Sequence, residues 1–191
     1  MDCEATPWLL YNGTCFGVMN TALFSLKVYS SEEEGLLKKA LFKIKDFVQI
    51  QKVSSIYLIE GKKDDKRHIH SLRTEAFFKG LCLVVQGQTS LDPEDLLRKF
   101  VEVEKELRGE VLYRNLSINL LLFNDVIRMD PVLTLPYPEL HLRPEELVPA
   151  SEISPSYFHP LLKKSLKELS EKYLSSVWGS FYGQGRRLLD F

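Results

Sequence analysis

Two stretches of helical periodicity, each bracketed by strand-forming runs, constrain this chain more than any other feature. Leu36, Leu37, Ala40, Leu41, Ile44 and Phe47 recur at three- and four-residue spacings with Lys38, Lys39, Lys43 and Lys45 between them. That pattern buries one helix face and solvates the other. Ser30-Ser31-Glu32-Glu33-Glu34 precedes it and offers a start with acids at the positive end of the helix. A second helix opens at Ser90-Leu91-Asp92-Pro93-Glu94, and Leu96, Leu97, Phe100, Val101, Val103 and Leu107 carry its apolar stripe until Arg108-Gly109 stops it. Residues 20–29, Val48 to Glu60, Phe77 to Val85 and Leu116 to Phe123 are rich in strand formers, with Ser54 to Glu60 and Phe77 to Val85 as two arms of a hairpin. The order strand, helix, strand, strand, helix, strand predicts an α+β chain with a ferredoxin-like βαββαβ core: a four-stranded antiparallel sheet with helices packed on it.

Beyond that core, Val126-Ile127 and Val132-Leu133 flank Arg128-Met129-Asp130-Pro131 as a small hairpin, and the Pro-rich segment Leu135 to Pro149 is expected to cross the surface. An amphipathic helix is expected around His159 to Tyr173, with Leu161, Leu162, Leu166 and Leu169 on one face. The chain therefore divides into an N-terminal extension (1–19), a main domain (20–155) and a C-terminal helix with an aromatic tail (156–191). The tail, from Trp178 to Arg187, can dock on its own domain or on a protein partner.

Composition excludes classes rather than naming an activity. With 191 residues, 45% of them hydrophobic, the chain can bury a core without disulfides. Twenty-five Lys+Arg against 26 Asp+Glu give a net charge of −1, which removes the overall basic field of a dedicated nucleic-acid binder. Cys3, Cys15 and Cys82 are odd in number and far apart, which suits a reducing compartment, with cytoplasm as the default. The stretch Leu116 to Ile127 is interrupted by Ser117, Asn119, Asn124 and Asp125, so no membrane span is expected. Asp2 and Glu4 ahead of Trp8 lack the basic start of a signal peptide. No P-loop, Gly-x-Ser-x-Gly elbow or dinucleotide fingerprint occurs in the sequence.

Several local groups have two readings. His68 and His70, with Asp64 and Asp65, can hold a divalent metal or sit by chance in a polar loop. Lys62, Lys63, Lys66 and Arg67 can hold phosphates or belong to a solvated loop. Cys82 lies in an apolar run and reads as a buried structural thiol.

Longer stretches resemble a known family. Thr89-Ser-Leu-Asp-Pro-Glu-Asp-Leu-Leu, Val103-Glu104, Arg114-Asn-Leu-Ser-Ile-Asn-Leu-Leu-Leu-Phe-Asn-Asp-Val-Ile, Leu135-Pro-Tyr-Pro-Glu-Leu-His-Leu-Arg143 and Pro149 to Pro155 resemble 6-hydroxymethyl-7,8-dihydropterin pyrophosphokinase of the folate pathway, over about residues 22–155. Leu36-Leu-Lys-Lys-Ala-Leu and Val53-Ser-Ser-Ile-Tyr57 fall at the spacings of that family's first helix and second strand. The resemblance implies transfer of pyrophosphate from ATP to a pterin alcohol, with two magnesium ions held by an Asp-x-Asp pair on the last core strand. Those positions are Ser117 and Asn119 here. By the same resemblance Arg114 and Arg143 match ATP-contacting arginines, and Tyr137 stands where the family has His. Lys27-Val28-Tyr29 replaces its Gly-Ser-Asn, Lys79 or Cys82 stands near its pterin-binding Asn, Pro144-Glu145 replaces an aromatic residue, and the loop before the last strand shrinks to Arg108 to Tyr113.

The expectation is a divergent homologue with weak or lost catalysis, in which the missing carboxylates argue against the family's cofactors, Mg2+ and ATP. A nucleotide or pterin is the expected ligand. One alternative is an active enzyme whose metals are held by other acids, such as Asp125 or Glu104. Another is a non-catalytic module that binds a ligand, or a protein through its C-terminal extension.

Overall fold

The computed structural model describes residues 10–11, 14–15, 19–62, 77–108 and 115–190. Leu10–Tyr11 (β1) and Thr14–Cys15 (β2) form a short antiparallel pair. The main chain then runs through Asn20–Val28 (β3), Glu34–Ile44 (α1), Gln49–Val53 (β4), Ile56–Lys62 (β5), Phe77–Thr89 (β6), Pro93–Arg108 (α2) and Leu116–Phe123 (β7). Arg128–Met129 (β8) pairs with Thr134–Leu135 (β9), and Pro144–Ile153 forms α3. Phe158–His159 (β10) pairs with Lys164–Ser165 (β11); Leu166–Ser170 (α4) and Ser180–Gly183 (β12) follow.

The expected βαββαβ core is present as β3-α1-β5-β6-α2-β7, enlarged by β4 and β12 to a six-stranded sheet of order β12-β5-β6-β3-β7, with β4 also on β6. Every pairing is antiparallel. β3 runs along β6 from Asn20 opposite Thr89 to Val28 opposite Leu81. On the other side of β6 two strands lie end to end, because the run expected as one strand breaks at Ser54. Its N–H donates to the Val84 carbonyl at 2.9 Å, while its Oγ accepts from the Val84 N–H at 2.9 Å and donates to the Ser55 carbonyl at 2.8 Å. A side chain thus replaces one rung of the ladder. Gly87 in β6 permits the close crossing here, since a Cβ on it would lie 2.3 Å from Val48 Cγ1.

Alternation gives the sheet two covered faces. Phe24, Leu26 and Val28 of β3 meet Leu37, Leu41 and Ile44 of α1 and Leu96, Phe100 and Val103 of α2 in the larger core. Phe24 and Phe100 rings stand 4.9 Å apart. The opposite face packs Leu23, Val84, Leu121 and Leu122 against Leu140, Leu147, Ala150, Ile153 and Leu166. Leu121 and Leu122 both reach that side because the β3–β7 register slips between Leu23 and Phe24, placing Leu23 opposite Leu122 and Phe24 opposite Leu120.

The segment Leu135 to Pro149 is therefore only partly a surface crossing: from Pro144 it becomes α3, a layer over the second sheet face. Pro144 at the first helical position and acids in the first turn favour that start. Both arms of the small hairpin form two residues later than expected, with Asp130 Oδ1 accepting from the N–H groups of Val132 at 3.0 Å and Leu133 at 2.8 Å.

The C-terminal helix is shorter than the periodicity suggested. Pro160 and the left-handed Lys163 (φ 53°) interrupt it, and a capping box at Ser165 and Glu168 fixes its start, leaving Leu161 and Leu162 exposed. The tail docks on its own domain. β12 pairs with β5, Trp178 packs on Tyr57 with ring centroids 5.0 Å apart, Arg187 pairs with Glu34 at 2.8 Å, and Leu188 enters the larger core. No helix among the described residues is long and apolar enough to cross a membrane.

Candidate functional site

Under α3 the sheet carries polar residues where an apolar face is the rule. Pairing sets Cys82 of β6, Lys27 of β3 and Ser117 of β7 side by side, and Val84, Ser25 and Asn119 in the next row on the same face. Ser25, Lys27, Ser117 and Asn119 are all buried. A buried polar group costs stability unless it is hydrogen-bonded, and α3 supplies the partners.

The first turn of α3 places Glu145 and Glu146 over these rows. Glu146 Oε1 accepts from Lys27 Nζ at 2.9 Å, from Ser25 Oγ at 3.0 Å and from Asn119 Nδ2 at 3.0 Å. Lys27 Nζ also reaches Glu145 Oε1 at 3.3 Å, and Ser117 Oγ donates to Asn119 Oδ1 at 3.3 Å. Glu146 Oε2 is buried with no hydrogen-bond partner. Burial opposes the Lys27 charge, but Glu146, the Cys82 sulfur and Glu145 outweigh it, and the ammonium is held above the usual lysine range.

Cys82 has a specific role in this packing. Pro149 lies inside α3 and has no N–H, so the carbonyl of Glu145, four residues back, loses its helical donor. The Cys82 thiol donates to that carbonyl at 3.1 Å. Burial pushes the thiol well above its usual range, with Lys27 opposing only in part, which fits the structural thiol expected from the sequence.

Further bonds pin the rest of the helix to the sheet. Glu152 Oε1 accepts from the Ser55 N–H at 3.0 Å and Ser55 Oγ at 2.8 Å, and Glu152 Oε2 accepts from the Tyr57 hydroxyl at 3.1 Å. Burial, and then Glu152, push that hydroxyl up to about 12. Lys52 Nζ donates to the Ile153 carbonyl at 2.9 Å.

Of the residues singled out in the sequence, Ser117 and Asn119 meet in this cluster, and Tyr137 and Arg143 meet each other just ahead of α3. The Arg143 guanidinium stands 5.4 Å from the Tyr137 ring centroid, and its Nη2 is 4.0 Å from Glu139 Oε2. Its buried Nε has no hydrogen-bond partner. Glu104 and Asp125 do not join the cluster: Glu104 Oε1 accepts from the Ile118 backbone N–H at 2.6 Å, and Asp125 is exposed past the end of β7. Arg114, His68, His70, Asp64, Asp65, Lys63, Lys66 and Arg67 lie outside the described residues, as does the side chain of Lys62. Among the described residues no group of three or more His, Cys, Asp or Glu could hold a metal ion.

Sequence reasoning missed Glu146 as the centre of the cluster. The available signal was the polar alternation Ser25, Lys27 in a strand otherwise buried on both faces, matched by Ser117 and Asn119 on its neighbour. Four such residues require a polar partner from the layer above.

Comparison with known proteins agrees with this architecture. A family model described as 7,8-dihydro-6-hydroxymethylpterin-pyrophosphokinase (HPPK) matches residues 28–155. The 2-amino-4-hydroxy-6-hydroxymethyldihydropteridine pyrophosphokinase of Aquifex aeolicus (strain VF5) is 30% identical over 154 residues, covering 78% of this chain and 90% of the relative. Its counterpart from Synechocystis sp. is 30% identical over 97 residues, 48% of this chain and 49% of the relative. Among solved structures, Plasmodium falciparum HPPK-DHPS with pterin and p-hydroxybenzoate has a TM-score of 0.61 at 16% identity, and an HPPK-DHPS in complex with substrates one of 0.66 at 14%, over 83% and 82% of this chain. The chain spans 42% and 44% of those two chains, and the likeness to them is one of fold. Family model, sequence identity and architecture together place this chain in the hydroxymethyl-dihydropterin pyrophosphokinase family.

Proposed function

We propose that this chain is a divergent member of that family in which magnesium-dependent transfer of pyrophosphate from ATP to 6-hydroxymethyl-7,8-dihydropterin is lost or greatly weakened. The observation that supports this most is the contact of Glu146 with Lys27, Ser25 and Asn119 on the sheet face. In the family reading, Ser117 and Asn119 stand where two carboxylates hold two magnesium ions. Magnesium prefers anionic oxygens and keeps to octahedral geometry. The groups available here are two hydroxyls, an amide and an ammonium, and one oxygen of the Glu146 carboxylate among them already accepts three hydrogen bonds, one from the ammonium that neutralises it. This donor set does not fit a pair of divalent ions, and Glu104 and Asp125 point their chemistry elsewhere.

Arg143 over Tyr137, together with Arg114, remains as a contact for an anionic ligand such as a nucleotide, which two arginines can bind without organising transfer. Residues 20–155 form the family domain in this reading, and the tail beyond it completes the packing of that domain.

Incubation of the full chain with ATP, magnesium and 6-hydroxymethyl-7,8-dihydropterin, followed by measurement of AMP, tests the reading. The expected result is no AMP above the uncatalysed background. Turnover at roughly 1 s⁻¹ or faster, the ordinary range of enzymes, overturns it.

A further inference from the structure

Every group that touches Glu146 Oε1 is a hydrogen donor: Lys27 Nζ at 2.9 Å, Ser25 Oγ at 3.0 Å and Asn119 Nδ2 at 3.0 Å. Asn119 Oδ1 beside it receives Ser117 Oγ at 3.3 Å, and the oxygen left without a hydrogen-bond partner is Glu146 Oε2, on the same carboxylate that Lys27 neutralises. The face is thus arranged around a cation that is covalently part of the chain. The Lys27 side chain is 10% exposed and that of Glu146 0%. Removing either partner strands the other charge in a low-dielectric site. The contact also joins different layers, since Lys27 belongs to the sheet and Glu146 to the first turn of α3.

We propose that the Lys27 ammonium is a built-in cation that latches α3 to the sheet and takes the charge-balancing place that divalent metal would hold on this face, so that the folded state is indifferent to magnesium. The proposal rests on the reading of Ser117 and Asn119 as the family's metal positions. It adds an occupant for the site and a role in stability for that occupant.

Thermal unfolding of the full chain, with EDTA or with millimolar magnesium or manganese chloride, gives the first test. The melting temperature is expected to be the same in all three, and a saturable rise with either metal overturns the proposal. The second test compares Lys27→Met with Lys27→Met/Glu146→Gln, which removes both charges. Lys27→Met is expected to melt about 10 °C lower, and the double variant to regain at least half of that loss. If Lys27→Met does not fold, a folded double variant is the same result. A double variant no more stable than the single one overturns the latch, as does a Lys27→Met protein as stable as the parent.

AMP formation on the same samples separates the two readings. AMP produced without a metal-dependent shift sinks the functional reading and leaves the latch standing. A metal-dependent shift without AMP does the reverse.

Discussion

Glu104 on α2 reaches the backbone of Ile118, its Oε1 accepting the Ile118 N–H at 2.6 Å. Among the described residues β7 is the outer strand of the sheet, and no further strand pairs with it at Ile118. A buried carboxylate therefore does for one rung what a neighbouring strand does for the others. Glu104→Ala leaves that N–H buried and unpaired, and should destabilise the chain by about 2–3 kcal/mol, with Glu104→Gln losing less because its amide oxygen can still accept. Urea unfolding of the two variants measures the difference, and equal losses would contradict the hydrogen-bond account.

Cys82 should be silent toward thiol reagents in the native protein and react only after unfolding, because it is buried and its thiol is pushed up by that burial. In a Cys3→Ser/Cys15→Ser background, labelling by an aromatic disulfide should track global unfolding. Replacing its thiol should also cost stability through the Glu145 carbonyl that Pro149 leaves without a helical donor. Cys82→Ala should lose about 1–3 kcal/mol, and Cys82→Ala made together with Pro149→Ala should lose less than the two single changes summed.

Gly185 begins the last turn of the chain, and a Cβ on it would fall 2.0 Å from the Ser54 carbonyl oxygen and 2.8 Å from Val53 Cγ1. Backbone cannot yield as a flexible side chain does, so Gly185→Ala should push this turn off β4 and withdraw Leu188 from the core. The expected loss is about 1–3 kcal/mol, read by urea unfolding. Gly35→Ala, which meets nothing within 4 Å, is the control and should not destabilise.

His159 is 4% exposed, and its Nδ1 accepts the Leu162 N–H at 3.3 Å. Burial, then the neighbouring His141, hold its pKa below the ordinary 6.5. The unfolded chain thus takes up a proton first as pH falls, so the contribution of neutral His159 is complete above about 6.5 and declines below it, until the folded form also protonates. His159→Gln should flatten the fall in melting temperature between neutral and mildly acidic pH. An unchanged slope in the variant would remove His159 from the account.

The helices and strands of the core were legible because each has a long, clean period. The stripe of α2 from Leu96 to Val103 and the alternation of Leu116, Ile118 and Leu120 leave little choice of structure. Elements whose conformation depends on distant partners were harder to read. The helix from Pro144 carries Pro149 in its interior and two adjacent acids, a local pattern of surface chain, and becomes buried because Lys27, Ser25, Asn119 and Cys82 await it on the sheet. Leu161 and Leu162 match a helical stripe in sequence, yet Pro160 and Lys163 turn the chain into a hairpin. Within the site, the neutral character of Ser117 and Asn119 was plain from the sequence. Glu146 was not, since nothing within α3 distinguishes it from its exposed or half-exposed acidic neighbours.

The register of β3 against β7 also ties four residues to one carboxylate. Lys27 lies opposite Ser117 and Ser25 opposite Asn119; Lys27, Ser25 and Asn119 bond Glu146 directly, and Ser117 is linked to it through Asn119. A single substitution of Ser117 or Asn119 by aspartate would bring a new carboxylate beside one that has a single close ammonium, and like charges in such a place repel strongly. Loss of Lys27 alone would leave Glu146 without its close counter-charge. Each one-residue route to a carboxylate pair on this face thus passes through a less stable protein, so installing one requires coordinated change in two strands and a helix.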